Sequence, residues 1–579
     1  MDSNLDHIRH SLAHLLAASV LKKWPDTKLG IGPVIENGFY YDFQFSQPIS
    51  DADLKDIEKQ MRKFVGGKLA FTGTEMTADE LKLKYASQPF KLDLISEYAG
   101  EGRKLTSYKT GEIFEDLCRG GHVENTSEID PDSFKLTKLA GAYWRGDEKN
   151  AQLTRIYGLA FANKADLDAH LTMLAEAEKR DHRKLGQELD LFTFSPLVGS
   201  GLPMFTPRGT LLRQLLTEFV WSLMEPQGYQ RVTIPHMAKA DLYKTSGHYD
   251  KFADDIFHVS SKKSEDEFIM KPMNCPHHTQ IYASKPRSYR DLPIRYSEVT
   301  AVYRDENTGQ LAGLSRVRSI TQDDAHIFCT MEQVKHEVKQ IHDIVTAFYQ
   351  AFNMPLRIRL SINDPAKPEK YLGTPEMWNK AVTSLKEVLS DLGKEYELGV
   401  GEAAFYGPKI DFMAKDAIGR EWQLATAQVD FNQPERFGLE YAAADGTKQR
   451  PVMVHRAISG SLERFMAILI EHYAGHFPLW LSPVQARVIA VGEKYQEYGS
   501  EIVKLLKLGN IRAELADCDE TLGKRIRQAQ VEKIPYVLVV GEEELNANTV
   551  AVKLRNADLG KMTTADLVEK IRKEIAEKK

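Results

Sequence analysis

Apolar and polar positions change period several times along this chain, and each change predicts a new kind of element. Near the N-terminus the spacing predicts a helix from Ile8 to Lys23, then a strand at GFYYDF (38–43) and further Gly-punctuated segments, a mixed α+β composition. In KADLDAHLTMLAEAEKRDHRKLGQELDL (164–191), Leu167, Leu171 and Leu174 recur at helical spacing amid dense charge, which predicts one connecting amphipathic helix. From residue 187 to 480 the pattern shifts to strands and hairpins with interspersed helices, as an antiparallel sheet domain requires. After FPLWLSPVQ (477–485), strand ARVIAVG (486–492), a helix ending at 508, strand IRAEL (511–515), a helix and strand YVLVV (536–540) alternate. That alternation predicts a small α/β domain with a largely parallel sheet. The expected segmentation is 1–163, 164–186, 187–481 and 482–579.

At 579 residues the chain exceeds the reach of one hydrophobic core, and its length predicts three or four domains. The 42% hydrophobic and 27% charged content argue against disorder. Apolar runs such as FMAILI (465–470) are too short to span a bilayer, and MDSNLDHIRH lacks a signal-peptide pattern, so a cytoplasmic protein with no membrane partner is expected. Four cysteines, 118, 275, 329 and 518, make no disulfide framework and read as ligands or core. A net charge of -6 confines any RNA contact to local patches. GKRIRQAQVEK (523–533) is one such patch, although a solvated helix face has the same composition.

The chemistry concentrates in a few strings. Cys275 in KPMNCP (271–276), His326 in TQDDAHIF (321–328) and His455 in VMVHRAISGSLERF (452–465) offer one thiolate and two imidazoles. Such a set suits Zn²⁺ and leaves a fourth tetrahedral position open. Singly, each has a plainer reading, the cysteine as a small buried hydrophobe and the histidines as hydrogen-bonded structural residues. Gln322, Asp324 and His326 fall at i, i+2 and i+4, on one face of a strand. Arg304 and Glu306 share a parity just upstream, with Gly309 and Gly313 between. A solvent-facing charged hairpin would look similar, but this run ends in Ile327 and Phe328. In the first segment, His10 and His14 share a helical face and Cys118 and His122 form CxxxH, which by pattern alone suggests a second zinc site.

These strings, in order and spacing from about His7 to the C-terminus, resemble the threonyl-tRNA synthetase family of class II aminoacyl-tRNA synthetases. The resemblance implies a multidomain fold: a class II antiparallel-sheet catalytic core, an N-terminal α+β editing domain and a C-terminal α/β anticodon-binding domain. It implies a homodimer through the segment around Pro235, one Zn²⁺ per subunit on Cys275, His326 and His455, and Mg²⁺ accompanying ATP. Arg304 and Arg464 would bind the α- and γ-phosphates, Glu306 adenine and Arg316 further phosphate oxygens, tasks suited to the arginine fork. Gln322, Asp324, Tyr406, Lys409, Gln423, Gln428 and Ser461 would complete the pocket for L-threonine and its adenylate. His10, His14, Cys118 and His122 would form a metal-independent pocket that hydrolyses Ser-tRNA(Thr), and Arg527 and Glu544 are the candidate anticodon contacts to tRNA(Thr).

This sequence departs from the family pattern at His277 and Ala425, where Gly is usual, and at Gly121, where Pro is usual and whose replacement is expected to loosen the turn. The small ubiquitin-like domain that many relatives carry first is not expected, so the remaining modules should work without it. Two rival functions are an aminoacyl-tRNA hydrolase acting through the N-terminal domain alone and a non-catalytic RNA-binding regulator. Intact Arg304, Arg464 and zinc-ligand positions argue against both.

Overall fold

The computed structural model describes residues 3–555 and 557–578, and the chain divides into two units, Met1–Glu176 and Ala177–Lys579. Among the described residues no helix is long and apolar enough to cross a membrane.

In the first unit the opening helix runs Ser3–Lys23 and buries Leu12, Leu15, Leu16 and Val20 against Phe39, Tyr41 and Phe43 of the strand Gly38–Gln44. That strand pairs antiparallel with Gln152–Ala160, which pairs with Phe134–Tyr143. A second sheet joins Phe71–Glu75, Thr106–Thr110 and Phe114–Leu117. The helix Asp51–Val65 begins with a reciprocal Ser50/Asp53 capping box, which satisfies backbone donors that the first turn leaves open.

The single connecting helix expected at 164–191 is two helices, Lys164–Lys179 and His182–Glu188. Asp181 leaves the helical region, and its carboxylate accepts the Arg183 N–H at 2.8 Å, so it caps and restarts the chain. The break falls in AEAEKRDHRK (175–184), where no leucine marks the helical face, so the periodicity of Leu167, Leu171 and Leu174 cannot register it.

The second unit is built on an eight-stranded sheet, counted among the described residues. Its strands are β1 (Gln230–Arg231), β2 (Ile294–Tyr303), β3 (Ser319–Cys329), β4 (Leu356–Ile362), β5 (Glu397–Val400), β6 (Lys409–Lys415), β7 (Glu421–Asp430) and β8 (Val452–Ser461). They lie in the order β1-β2-β3-β8-β7-β6-β4-β5, with antiparallel pairing except for β1/β2 and β4/β5 at the edges. The period of two decides what each face does. On β3, Ala325, Ile327 and Cys329 point into the core with the helices Pro207–Met224, Val334–Gln350 and Leu462–His472, while Gln322, Asp324 and His326 line a cavity on the other face. β7 repeats this, with Ala425, Ala427 and Val429 inward and Gln428 and Thr426 toward the cavity.

β8 carries two extra residues opposite β3: Gln322 faces Ser461 and Asp324 faces Ala457. The carboxylate of Asp323 fills this bulge, accepting the N–H of Ile458 (2.8 Å) and Ser459 (3.0 Å), the Ser459 hydroxyl (2.8 Å) and the buried Arg456 guanidinium (3.2 Å). Gly460 follows with φ +69°, and a β-carbon there would sit 2.7 Å from the Leu424 carbonyl.

The C-terminal sheet has the strand order Ala513–Leu515, Ala486–Ala490, Tyr536–Val540, Thr549–Leu554, Asp558–Thr563. Its first two pairings are parallel and its last two antiparallel, so the expected largely parallel sheet is mixed. The final hairpin lies in TVAVKLRNADLGKMT, beyond the last strand read from the sequence. An ionic cluster joins this sheet to the helix Pro207–Met224 beneath the eight-stranded sheet: Glu532 pairs with Arg208 (2.9 Å) and with Arg487 (2.6 Å), which also holds Glu514.

Removing the Asp323 carboxylate strands two backbone donors and a buried guanidinium together. Asp323→Ala is expected to cost about 3–5 kcal/mol in urea denaturation; a loss below about 1 kcal/mol would mean the bulge holds without it.

Candidate active site

The cavity on the open face of the sheet encloses about 660 Å³ and is lined by Arg304, Glu306, Arg316, Gln322, Asp324, His326, Tyr406, Gln423, Gln428, His455, Ser461 and Arg464, among others. Residues scattered over 161 positions of sequence therefore face one space. Antiparallel register is the cause: His326 on β3 stands directly opposite His455 on β8, and Gln428 on β7 opposite His455. Cys275 opens the helix Cys275–Ala283 and is wholly buried, and its sulfur and one nitrogen of each histidine lie within 4.8 Å of one another.

Each imidazole of this trio has one nitrogen already engaged. His455 Nε2 lies 2.9 Å from Asp430 Oδ2, and Asp430 is itself fixed by the N–H groups of Asn432 and Gln433. His326 Nδ1 lies 2.8 Å from His278 Nδ1. One nitrogen on each ring therefore remains for a metal, and a partner on the far side sets tautomer and orientation. Burial pushes the His326 pKa well below its ordinary value and the Cys275 thiol well above its own, so the imidazole stays neutral and metal binding must expel the thiol proton. His248, also buried, approaches Cys275 Sγ at 3.6 Å and is held by the Ser246 hydroxyl at 2.8 Å. Asp430, His278 and His248 were not singled out from the sequence. Nothing in their spacing pointed to them, because their roles arise from register and from the close packing of two helices.

Arg304 lies one residue beyond the end of β2, in the loop rather than on the strand. It is largely buried, with its Nη2 3.3 Å from Met273 Sδ, and its Nε has no partner among the described residues. Burial lowers its pKa, a sign of a guanidinium held for an anion. Arg316 is tied to Glu306 at 2.6 Å and to Gln310 at 2.9 Å. Ser461 caps the helix Leu462–His472 by accepting the Arg464 N–H, and the Arg464 guanidinium lies 5.6 Å from the Trp422 ring centre. Asp324 accepts from Asn274 Nδ2 at 3.0 Å, and burial pushes its pKa up to about 6. The Tyr406 hydroxyl donates to Gln428 at 2.6 Å, and its ring stacks on His455. Lys409 is instead bound to Asp411 at 2.8 Å, a carboxylate shared with Ser361 and Gln423. His277 is buried near the Tyr243 hydroxyl, and Ala425 is core.

In the first unit a cavity of about 350 Å³ is lined in part by His10, His14 and Cys118. The Cys118 sulfur lies 3.4 Å from His10 Nε2 and 3.2 Å from His122 Nε2, and the His122 ring stacks on His10 at 4.2 Å. Burial lowers the pKa of His10 and His14, takes His122 down to about 3 and pushes Cys118 up to about 11, so all four groups are neutral near pH 7. The same cavity holds a buried polar trio unnoticed in the sequence: Lys91 pairs with Asp116 at 2.6 Å, and both bond the Tyr41 hydroxyl. Gly121 has φ +83°, a conformation that proline with its fixed negative φ cannot adopt.

Of the two anticodon candidates, Arg527 is exposed on the helix Leu522–Val531. Glu544 is not available in the same way: it accepts the Gly541 N–H at 3.0 Å and pairs with Lys561 at 2.9 Å, as a helix cap would.

Three family models match this chain: the class II tRNA synthetase core domain (G, H, P, S and T) over 257–473, an anticodon binding domain over 485–574, and the threonyl and alanyl tRNA synthetase second additional domain over 105–157. The threonine–tRNA ligase of Gloeobacter violaceus is 48% identical, the match covering 99% of this chain and 93% of that one. That of Thermus thermophilus is 47% identical over 99% and 89%. The chain belongs to the threonyl-tRNA synthetase family. A crystal structure titled as the RNA binding domain of the Cryptosporidium parvum threonyl-tRNA synthetase is 37% identical, with a TM-score of 0.65 over 68% of this chain and 98% of that one. A prolyl-tRNA synthetase from the same organism, 17% identical with a TM-score of 0.54 over 69% and 75%, shares the fold. As a threonyl-tRNA synthetase family member the chain has the class II core with an antiparallel sheet, the N-terminal additional domain and the anticodon-binding module.

The raised Cys118 pKa makes a chemical prediction. At pH 8.5 iodoacetamide should label Cys118 about a hundredfold more slowly than an unhindered peptide thiol, with the rate still rising toward pH 11. Labelling at the free-thiol rate, followed by peptide mass spectrometry, would show a thiolate that this pocket does not hold.

Proposed function

We propose that this protein is a threonine–tRNA ligase: it joins L-threonine to ATP, forming threonyl adenylate and pyrophosphate, and then transfers the threonyl group to tRNA(Thr). The observation that carries this reading is the juxtaposition, in one cavity wall, of the opposed His326–His455 pair beside Cys275 with the phosphate-type arginines Arg304 and Arg464. The reaction brings a carboxylate to the α-phosphorus of ATP, so the site must gather two anions and stabilise added charge. Partly buried arginines lining the cavity do this without a protein nucleophile. Mg²⁺ accompanies ATP and supplies further charge neutralisation.

Cys275, His326 and His455 fit a resident Zn²⁺: the donors are soft enough, close enough and neutral or ionisable to thiolate, and each imidazole is braced by a partner. When bound, the ion would supply Lewis-acid contacts that hold and orient the amine and hydroxyl of threonine. Asp324 takes the hydroxyl hydrogen, and Gln322, Tyr406 and Gln428 border the amino-acid end of the cavity. Valine, lacking that oxygen, would leave Asp324 unsatisfied, a difference able to discriminate by about 10⁴. Arg304 and Arg464 take phosphates, while Glu306 and Arg316 border the nucleotide end with Gln423.

Serine differs from threonine by one methyl, worth only about 1–3 kcal/mol, so hydrolysis after transfer is required. The pocket of His10, His14, Cys118 and His122 serves that purpose. Neutral imidazoles position water and the 3′ end of the tRNA, and Tyr41, Lys91 and Asp116 present an adjoining polar wall. The segment around Pro235 is exposed beside Met237 and forms the homodimer contact in the cytoplasm. Arg527 is retained as an anticodon contact. Editing corresponds to 1–163, linkage to 164–186, catalysis to 187–481 and anticodon binding to 482–579.

The test is pyrophosphate exchange with threonine, serine and valine, followed by charging of tRNA(Thr). Exchange with threonine, weaker exchange with serine and essentially none with valine is expected. Cys275→Ala should take zinc from about one ion per chain to near zero and abolish threonine-dependent exchange; full activity in a zinc-free protein would sink the metal assignment.

Editing separates cleanly, because the two pockets share no residue. His14→Ala should leave threonine activation unchanged but slow deacylation of preformed Ser-tRNA(Thr) by about 10² or more. Equal deacylation by wild type and variant would make these imidazoles structural.

A further inference from the structure

His182 lies in the segment read from the sequence as a simple connector, yet it is buried and bonded at both ring nitrogens. Its Nδ1 lies 2.6 Å from Glu471 Oε1, and its Nε2 accepts the backbone N–H of Leu314 at 3.1 Å. A carboxylate at one end and an N–H donor at the other allow one state only, the neutral ring with its proton on Nδ1. The proximity of Asp181, His182 and Glu471 has the look of a metal cluster. Both ring nitrogens are already used, so the imidazole has no lone pair left for a metal, and Glu471 Oε2 pairs with Arg420 at 2.6 Å.

The position of Leu314 gives the contact its importance. It follows Gly313 in the loop that joins β2 to β3, and the next three residues, Ser315, Arg316 and Val317, all line the nucleotide cavity. Gly313 has φ +53°, and a β-carbon on it would fall 2.3 Å from His182 Nε2. Thus both a hydrogen bond and a glycine-only approach seat this loop against the imidazole. On its other side the relay continues from Glu471 to Arg420, from Arg420 to Asp416 at 2.7 Å, and from Asp416 to the indole N–H of Trp422 at 3.0 Å. Trp422 lines the same cavity and lies against Arg464.

We propose that His182 is a positioning residue for ATP, locking the loop that carries Arg316 and, through Glu471, Arg420 and Asp416, steadying Trp422 against Arg464. This rests on the adenylation reading, which the wild type's threonine-dependent pyrophosphate exchange tests independently.

Three variants decide it. His182→Ala leaves the buried Leu314 N–H without an acceptor, and the KM for ATP should rise about tenfold while the KM for threonine and the zinc content hold steady. His182→Gln places an amide oxygen near the lost Nε2 and should recover most of the ATP affinity. Gly313→Ala pushes the loop off the ring while leaving the imidazole in place and should reproduce the ATP effect if His182→Ala does not fold. Amide hydrogen exchange over 307–318 in the absence of substrates reads the contact without activity, and should quicken about tenfold in His182→Ala and Gly313→Ala. Unchanged KM for ATP in the folded variants, an equal loss for both substrates, or no advantage of Gln over Ala would overturn the proposal. A wild type with no exchange activity would instead overturn the adenylation reading, and the hydrogen-exchange result would still decide the contact.

Discussion

The catalytic site depends on one misfit between two strands. β8 is two residues longer than β3 where they pair, and Asp323 absorbs the excess by accepting three donors from Ile458 and Ser459. Below the bulge, regular antiparallel register sets His326 against His455. Above it, Gly460 turns the chain and Ser461 starts the helix that carries Arg464. Without the bulge the period of two would run on unbroken, and the amino-acid end and the phosphate end could not both face one cavity. The carboxylate is worth its burial because every bond it makes is to a donor that would otherwise be stranded.

Cys275, His326 and His455, the cavity arginines Arg304, Arg316 and Arg464, and His10, His14, Cys118 and His122 were all legible in the sequence as residue types, and each set lies together in the fold. What supports them was not legible. Asp430 is two residues from Gln428 on the same strand, but only pairing across β7 and β8 reveals that it braces His455. Lys91, Asp116 and Tyr41 come from three separate elements and meet only because a helix closes over two sheets. Lys409 and Glu544 show the converse: both have suitable chemistry, and both are already committed to a neighbour.

Helix and sheet assignments failed where one charged side chain acts on the backbone. Asp181 ends one helix and caps the next in a charged stretch without leucines, and that break places His182 against the Leu314 N–H. The mixed C-terminal sheet was missed for another reason. The first strand of its last hairpin alternates with Val550 and Val552 buried, but its partner Asp558–Thr563 is mostly exposed, so apolar periodicity gives the pair little weight.

Both pockets of this chain contain a cysteine among histidines, yet their surroundings differ in the way that governs metal affinity. At the trio of Cys275, His326 and His455, the His455 ring is backed by the Asp430 carboxylate, which fixes its orientation and the nitrogen left free. At the editing quartet, His122 is backed only by the Ser11 hydroxyl, and His14 Nδ1 has no partner among the described residues. The nearby Asp116 carboxylate is committed to Lys91 and Tyr41. In both pockets a divalent ion would have to displace a proton from a thiol that burial raises, Cys118 and Cys275 alike, and among the described residues it is the trio that has a carboxylate behind a ligand imidazole to offset the cost. The spacing that by itself suggested two zinc sites therefore divides into one braced cluster suited to a cation and one unbraced cluster suited to neutral imidazoles and water.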